Sequence, residues 1–147
     1  GSPVVTRNLI HGQIAAGGSA ISMNLNTNAT VSNNILYDNT VSADIYTGQS
    51  TVLVINNTII GDPATGGYCV YVFGSGTNTR IVNNIIAGAK LYGIYEQDAN
   101  SDAIVQHNLF FGNTQGLYFD EGTTALATAA ICASRRKSVK RSPSCPR

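Results

Sequence analysis

Tryptophan is absent from this chain of 147 residues, and the other aromatic residues are few, with seven Tyr and four Phe. Charge is also sparse, because only 12% of the residues are Asp, Glu, Lys or Arg. No stretch approaches the roughly 18 consecutive apolar residues that a transmembrane helix needs. The sequence therefore predicts no membrane span, while a hydrophobic content of 43% is enough for the core of one domain.

Cysteine is rare and unevenly placed. Cys69 lies in the body of the chain, whereas Cys132 and Cys145 lie near its end. These positions match no metal-binding or redox spacing, and the odd count argues against a disulfide framework. We expect Cys69 to be a small strand residue, and we expect neither a metal site nor a cofactor.

The few charges are divided sharply along the chain. All eight acids lie before residue 122, where three cations oppose them, and the other six cations lie in the last 13 residues. The basic end has no interleaved aromatic residues and no nucleic-acid-binding motif before it, so no nucleic-acid partner is expected. We interpret the residues from about Cys132 onward as a truncated or frame-shifted end, and Gly1 and Ser2 as a tag remnant or the edge of a fragment.

The most regular feature is an asparagine followed by a short apolar run, repeated at spacings of 26, 23, 27 and 24 residues. These anchor residues are Asn8, Asn34, Asn57, Asn84 and Asn108. A period near 25 is the size of one solenoid coil. We expect each anchor to occupy a tight bend in the left-handed conformation, and the stacked amides to form a ladder at about 4.8 Å. The polar residue before each anchor should face solvent.

Apolar residues keep a constant register around the anchors. The third residue before each anchor is β-branched: Val5, Val31, Val54, Ile81 and Val105. The second residue after it is also apolar: Ile10, Leu36, Ile59, Ile86 and Phe110. These two columns predict the inward positions of two strands. A turn former closes each second strand, at Gly12, Asp38, Gly61, Gly88 and Gly112.

A third strand is predicted after each turn, and its alternation assigns the two faces. The inward columns are Ile21, Ile45, Val70, Ile94 and Leu117, then Met23, Thr47, Val72, Glu96 and Phe119. The outward columns contain Tyr46, Tyr71, Tyr95 and Tyr118, then Asn24, Gly48, Phe73, Gln97 and Asp120. We expect Glu96 to end its strand and turn to solvent rather than remain a buried carboxylate.

Three short strands per coil, with an asparagine at the bend, resemble the right-handed parallel β-helix family. That family includes pectate lyases, other polysaccharide-acting enzymes, phage tailspikes and bacterial surface proteins. The resemblance covers about residues 4–122 and implies an all-β solenoid of about five coils. It further implies one piece of a longer solenoid in a secreted or cell-surface bacterial protein. Because the scaffold serves catalytic and non-catalytic members alike, the function must be argued from a site.

By this resemblance, an active site would lie on the third-strand face and its following loops. The candidate catalytic and binding side chains there are Asp44, Glu96, Asp98, Asp120, Gln97 and Lys90. In a lyase, carboxylates would hold Ca²⁺ against a uronate while a Lys or Arg removed a proton, and a pair of acids could instead hydrolyse a glycosidic bond. The paired aspartates and the Gly-His-Gly run of polygalacturonases are missing, as is a lyase arginine on this face.

The tyrosine column favours a non-catalytic interpretation, in which polysaccharide binds to Tyr46, Tyr71, Tyr95 and Tyr118, with Gln97 and Lys90 beside them. Apolar ring faces and hydroxyl groups suit a sugar, although stacked aromatic residues also stiffen a sheet. The alternatives are a polysaccharide lyase or glycoside hydrolase, and a structural spacer whose loops bind another protein. Open solenoid ends also favour end-to-end self-association.

The repeat ends near Thr123. Residues 123–147 begin with a Thr suited to an N-cap and continue with an alanine-rich stretch. This pattern predicts a short helix that caps the open end of the solenoid, followed by a basic, disordered tail.

Overall fold

The computed structural model describes residues 1–74, 78–120 and the backbone of 124–126, and these residues form strands and turns without a helix. The strands are, in chain order, β1 (Val4–Thr6), β2 (Leu9–His11), β3 (Ile14–Asn24), β4 (Asn28–Ser32), β5 (Ile35–Tyr37), β6 (Thr40–Gly48), β7 (Thr51–Ile55), β8 (Thr58–Ile60), β9 (Tyr68–Phe73), β10 (Arg80–Val82), β11 (Ile85–Ala87), β12 (Tyr92–Glu96), β13 (Ile104–Gln106), β14 (Leu109–Phe111), β15 (Gly116–Asp120) and β16 (Thr124–Leu126). Over this part of the chain, no helix is long and apolar enough to cross a membrane.

The strands stack into three sheets that run along the axis of a solenoid. The first sheet has the order β1-β4-β7-β10-β13, and the second has the order β2-β5-β8-β11-β14. The third sheet contains β3, β6, β9, β12, β15 and β16. Every neighbouring pair is parallel except β15 and β16. The predicted all-β parallel solenoid of about five coils is therefore confirmed.

The core fills the inside of the coils with the two columns predicted around the anchors. Val31 pairs with Val54 in the first sheet, and Leu36 pairs with Ile59 in the second. All four side chains are fully buried. Successive coils thus place one β-branched or apolar side chain on the next, which is the packing that β-branched residues favour.

The anchor asparagines form a continuous ladder inside the bend between the first and second sheets. The side-chain amide of Asn34 donates to Oδ1 of Asn57 at 3.0 Å, and that of Asn57 donates to Oδ1 of Asn84 at 3.0 Å. Asn8 and Asn108 continue the ladder at its two ends. The three central anchors are almost completely buried. The ladder therefore supplies hydrogen bonds to a bend that water does not reach.

The left-handed conformation belongs to the residue before each anchor, not to the anchor itself, so that part of the prediction was wrong. Those residues are Arg7, Asn33, Asn56, Asn83 and His107, with φ between 55° and 59°. All five are exposed, as expected. The anchor side chain must point inward to reach the amide of the next coil. The residue before it, which points outward, therefore adopts the left-handed conformation that turns the chain.

The third sheet departs from simple alternation near its start. Ala43, Asp44 and Ile45 are three successive buried residues of β6. Ala43 pairs with Tyr68 and Ile45 pairs with Val70, which aligns Asp44 with the buried Cys69. Each strand therefore carries an additional inward residue ahead of its alternating part. This irregularity decides where several candidate site residues lie.

The last coil lies one position away from the predicted register. Gly116 pairs with Tyr92 rather than with Gly93, so that Tyr118 pairs with Ile94 and Phe119 pairs with Tyr95. The predictions of an outward Tyr118 and an inward Phe119 were therefore wrong. The correct register has a simple basis, because both paired residues come eight positions after their anchors, Asn84 and Asn108.

The predicted capping helix does not begin at residues 124–126, which instead form the short strand β16, antiparallel to β15. This strand covers part of the open edge of the third sheet, the edge that the helix was expected to protect. The rest of the predicted helix and the basic tail lie outside the described residues.

Candidate functional site on the third sheet

Aromatic side chains cover the outer face of the third sheet in one continuous group, which we call the aromatic ridge. Its members are Tyr46, Tyr68, Tyr71, Phe73, Tyr92, Tyr95 and Phe119. The central line runs along the solenoid axis, with ring centroids 5.5 Å apart for Tyr46–Tyr71, 5.2 Å for Tyr71–Tyr95 and 4.9 Å for Tyr95–Phe119. The ridge therefore extends without a gap over four successive coils.

Along the central line, two of the three ring contacts are stacked, and the Tyr71–Tyr95 contact is tilted by 31°. The interplanar angle is 24° between Tyr46 and Tyr71, and 16° between Tyr95 and Phe119. Because neighbouring rings cover each other's faces, the central rings direct their edges outward. A ligand on the ridge would thus meet ring edges and hydroxyl groups, rather than the open ring faces that the sequence analysis assumed.

Two further tyrosines thicken the ridge at its middle. The ring of Tyr68 lies 4.6 Å from that of Tyr95, and the ring of Tyr92 lies 5.0 Å from that of Phe119. Partial burial raises the pKa of Tyr46 and of Tyr68 above the ordinary value. Burial, and then the neighbouring Tyr95, raise the pKa of Tyr71 to about 12. These hydroxyls are therefore neutral at physiological pH and able to donate hydrogen bonds.

Gln97 and Asp98 border the ridge where β12 ends. The hydroxyl of Tyr71 donates to Oε1 of Gln97, whose side chain is exposed. Asp98 is half-buried and accepts a hydrogen bond from the backbone N–H of Asn100 at 3.0 Å. This bond belongs to a local turn, which is an ordinary role for an aspartate in a loop. The outer face thus brings Gln97 and Asp98 to the edge of the ridge.

Asp44 is inside the solenoid, not on the outer face where the sequence analysis placed it. Its side chain is 2% exposed, and Nδ2 of Asn39 donates to its Oδ1 at 3.0 Å. Burial raises the pKa of Asp44 to about 7, and the hydrogen bond from Asn39 only partly offsets that rise. Burial has the largest part in raising the pKa of the Cys69 thiol, and the nearby Asp44 has a smaller part, so the thiolate form is disfavoured.

Glu96 is buried as well, so the expectation that it turns to solvent was wrong. It lies in the core at 1% exposure, and its Oε1 accepts from the hydroxyl of Tyr118 and from the backbone N–H of Ala103, both at 2.9 Å. The first of these bonds forms because the register of the last coil places the Tyr118 side chain inside the solenoid. Glu96 therefore joins the third sheet to the loop that leads into β13.

Asp120 was also expected on the outer face and is also inside. It follows Phe119 in β15, so it takes the inward position next to Glu96 in the following coil, and it is 4% exposed. Asp44, Glu96 and Asp120 thus point into the core, while Asp98 stays near the surface. The four predicted catalytic acids do not converge on one accessible point, and their catalytic role stays a prediction.

Lys90 is exposed in the turn before β12 and lies near the Asp62 loop. A hydrogen bond from the Thr65 hydroxyl has the largest part in lowering the pKa of Asp62, and Lys90 has a smaller part.

In the described ranges, no group of three or more His, Cys, Asp or Glu side chains is arranged to hold a metal ion.

Sequence reasoning missed three members of the ridge, Tyr68, Tyr92 and Phe119, and a second, shorter set of amide contacts. Tyr68 and Tyr92 each stand three residues before a predicted ridge tyrosine, in the repeated pattern Tyr-x-x-Tyr. Strict alternation hid them, because the irregularity before the strand reverses their face. Asn39 and Asn113, five residues after their anchors, accept from the backbone N–H of Gln13 and Ala89 at 3.1 and 3.0 Å. The repeated distance from the anchors would have revealed these two.

Three sheets whose coil-to-coil strand pairs are all parallel, an internal asparagine ladder and coils of about 25 residues define this chain as a parallel β-solenoid protein. The family model for the right-handed β-helix region matches residues 1–130. The chain therefore belongs to the right-handed β-helix family. Neither the search of curated proteins nor the search of solved structures returned a match.

Proposed function

We propose that this β-helix binds a polysaccharide along the aromatic ridge, as a non-catalytic module of a secreted or cell-surface protein. The observation that carries the proposal is the unbroken line of partly exposed rings from Tyr46 to Phe119, three of which bear hydroxyl groups. A polysaccharide, like the solenoid, repeats the same unit along one axis. An extended glycan lying parallel to the solenoid axis would meet a similar set of groups at each coil.

The groups on the ridge suit a neutral, polyhydroxylated ligand. Hydroxyls of the partly buried tyrosines remain protonated and can both donate and accept hydrogen bonds. Gln97 adds an amide at the edge, and Lys90, the predicted binding cation, lies by the Asp62 loop. Asp98 instead brings a carboxylate close enough to affect Tyr71. This charge would oppose a uronate and favours an uncharged sugar chain.

The interior position of the acids favours binding over chemistry. A general acid must come within hydrogen-bonding distance of the group it protonates. Asp44, Glu96 and Asp120 are at most 4% exposed, so a glycan on the outer face would not reach them without a rearrangement of the coil. Of the predicted acids only Asp98 borders the ridge, and a glycosidase mechanism uses two.

Replacing two ridge tyrosines with phenylalanine tests the proposal without disturbing the stack. Tyr71→Phe together with Tyr95→Phe removes two hydroxyls and leaves the rings in place. A neutral hydrogen bond contributes about 0.5–1.5 kcal/mol, so the pair should weaken glycan binding about tenfold. Binding of the full chain to a glycan array, followed by calorimetry on the sugars retained, measures the change.

Tyr37→Phe is the matched control, because Tyr37 lies on the second sheet, where its ring stacks on His11 at 5.0 Å. It should leave glycan binding unchanged. Equal affinities for the double variant and the wild type would remove the ridge as the binding site. The absence of any glycan ligand across the array would remove the proposal itself.

A further inference from the structure

The outer face of the second sheet is apolar, and no residue in the described part of the chain covers it. Its outward positions form two columns, Leu9, Ile35, Thr58, Ile85 and Leu109, then His11, Tyr37, Ile60, Ala87 and Phe111. We call these ten residues the second-sheet face. It contains six of the large hydrophobic side chains that are exposed in the described part of the chain, with Phe111 at 77% and Leu109 at 62%. An apolar surface of this kind marks an interaction site.

The second-sheet face is regular enough to pack against another flat surface. Its five strands pair without a register shift, three residues to each strand. None of the ten outward residues is Asp, Glu, Lys or Arg. The polar bend residues, from Arg7 to His107, border the face along one side. Sheets with apolar faces pack about 10 Å apart with interdigitated side chains, and this face has the composition to do so.

The size of the face fits a modest interface between two copies. The exposed parts of its six large side chains amount to on the order of 600 Å². Two such faces would bury on the order of 1,200 Å², the lower limit for specific protein–protein interfaces. A dimer built on this area should be reversible and dependent on concentration.

The second-sheet face has no charged side chain that binding of a second copy would bury. The face would bury no carboxylate, ammonium or guanidinium group, and the net charge of the whole chain is only +1. Residues 1–121 by themselves carry eight acids against three cations, so it is the lack of charge on the face, and not the net charge, that limits repulsion at the contact. An apolar face of even composition is also complementary to itself under a twofold rotation, which is the commonest symmetry of homo-oligomers.

We infer that the second-sheet face is a homodimer interface, in which two copies of this chain pack sheet against sheet. The inference is independent of glycan binding, because the aromatic ridge lies on a different sheet. The arrangement leaves both ridges open. It is also distinct from association through the open ends of the solenoid, which would add copies without limit, whereas a twofold face contact stops at two.

Sedimentation equilibrium of the full chain over a wide concentration range tests this inference. The weight-average mass of the wild type should rise with concentration and level off at twice the monomer. Leu109→Lys places a charge within the contact on both copies and should weaken the dimer at least about tenfold. Leu25→Lys is the matched control, because Leu25 is 69% exposed but lies in the turn after β3, away from this face. It should leave the dimer unchanged.

Each remaining outcome decides against the dimer. A wild type that stays monomeric at all concentrations overturns the inference, even if it binds lipid vesicles or another protein. A mass that grows past two indicates end-to-end assembly instead. A dimer that Leu109→Lys does not weaken lies on another face. If that variant fails to fold, Leu109→Thr replaces it, since Thr58 occupies the same column and the substitution removes most of the apolar contact.

Discussion

Asn57→Ala is expected to lower the free energy of unfolding by about 3–5 kcal/mol. Asn57 is buried in the central coil and takes part in the ladder in both directions. Its amide also donates to the carbonyl of Val31 at 2.9 Å, and its Oδ1 accepts from the backbone N–H of Asn34 at 3.0 Å. Alanine would leave these buried groups without partners, and each such group costs about 1–3 kcal/mol.

Asn56→Gly is the matched control for the ladder, one residue earlier in the chain. Asn56 is exposed and has φ of 56°, a conformation that glycine adopts without strain. Its change in stability should stay within about 1 kcal/mol of zero. Urea unfolding monitored by circular dichroism compares the two variants. Similar losses for both would mean that the ladder contributes little to stability.

Asp44→Asn is expected to make the protein more stable at neutral and alkaline pH. The pKa of Asp44 is raised from 3.8 to about 7 in the folded state, mainly by burial. A raised pKa means that the folded protein binds the proton more tightly than the unfolded chain does. The contribution of Asp44 to folding stability is therefore greatest below pH 4, falls as the pH rises from about 4 to about 7, and is constant above that.

The size of the effect follows from the shift. A rise of about three pKa units corresponds to about 4 kcal/mol, which is the upper limit of the cost of ionising Asp44 in the core. Asparagine keeps the shape of the side chain and can still accept from Asn39, but it carries no charge. The variant and the wild type should therefore have similar stability near pH 4, diverge as the pH rises to about 7, and keep a nearly constant difference above that.

Measuring unfolding free energies between pH 4 and pH 8 tests this expectation. Asp38→Asn is the control, because Asp38 is exposed and its φ of 53° also suits asparagine. The difference between Asp38→Asn and the wild type should not change with pH. A constant difference for Asp44→Asn as well would show that Asp44 is ionised in the folded protein already at low pH.

Most of the core could be predicted because the repeated anchor asparagines can be recognised directly in the sequence. Val31, Val54, Leu36 and Ile59 keep constant distances from their anchors, and the structure buries all four. Residues at the same distance from successive anchors therefore stack on one another in the structure. Positions near an anchor were predicted well, since few residues separate them and the bend has a constant length.

The third sheet was predicted less well because turns of different length separate it from the anchors. Similar letters, Gly-Ile-Tyr and Gly-Leu-Tyr, suggested a pairing of Gly93 with Gly116, whereas the observed pairing joins Tyr92 to Gly116. A shift of one residue reverses every side chain of a strand. In the observed register Tyr118 and Asp120 therefore lie in the core, and Phe119 lies on the ridge.

The sequence by itself determined the architecture of this protein, because a repeat of about 25 residues with β-branched columns can bury its apolar side chains only by stacking coils. It also determined the existence of an asparagine ladder and an aromatic column. Only the tertiary structure decided which acids lie inside, which tyrosines reach the surface, and that the rings present edges rather than faces. Those properties depend on the pairing of strands from successive coils, and that pairing is set by contacts between residues far apart in the chain.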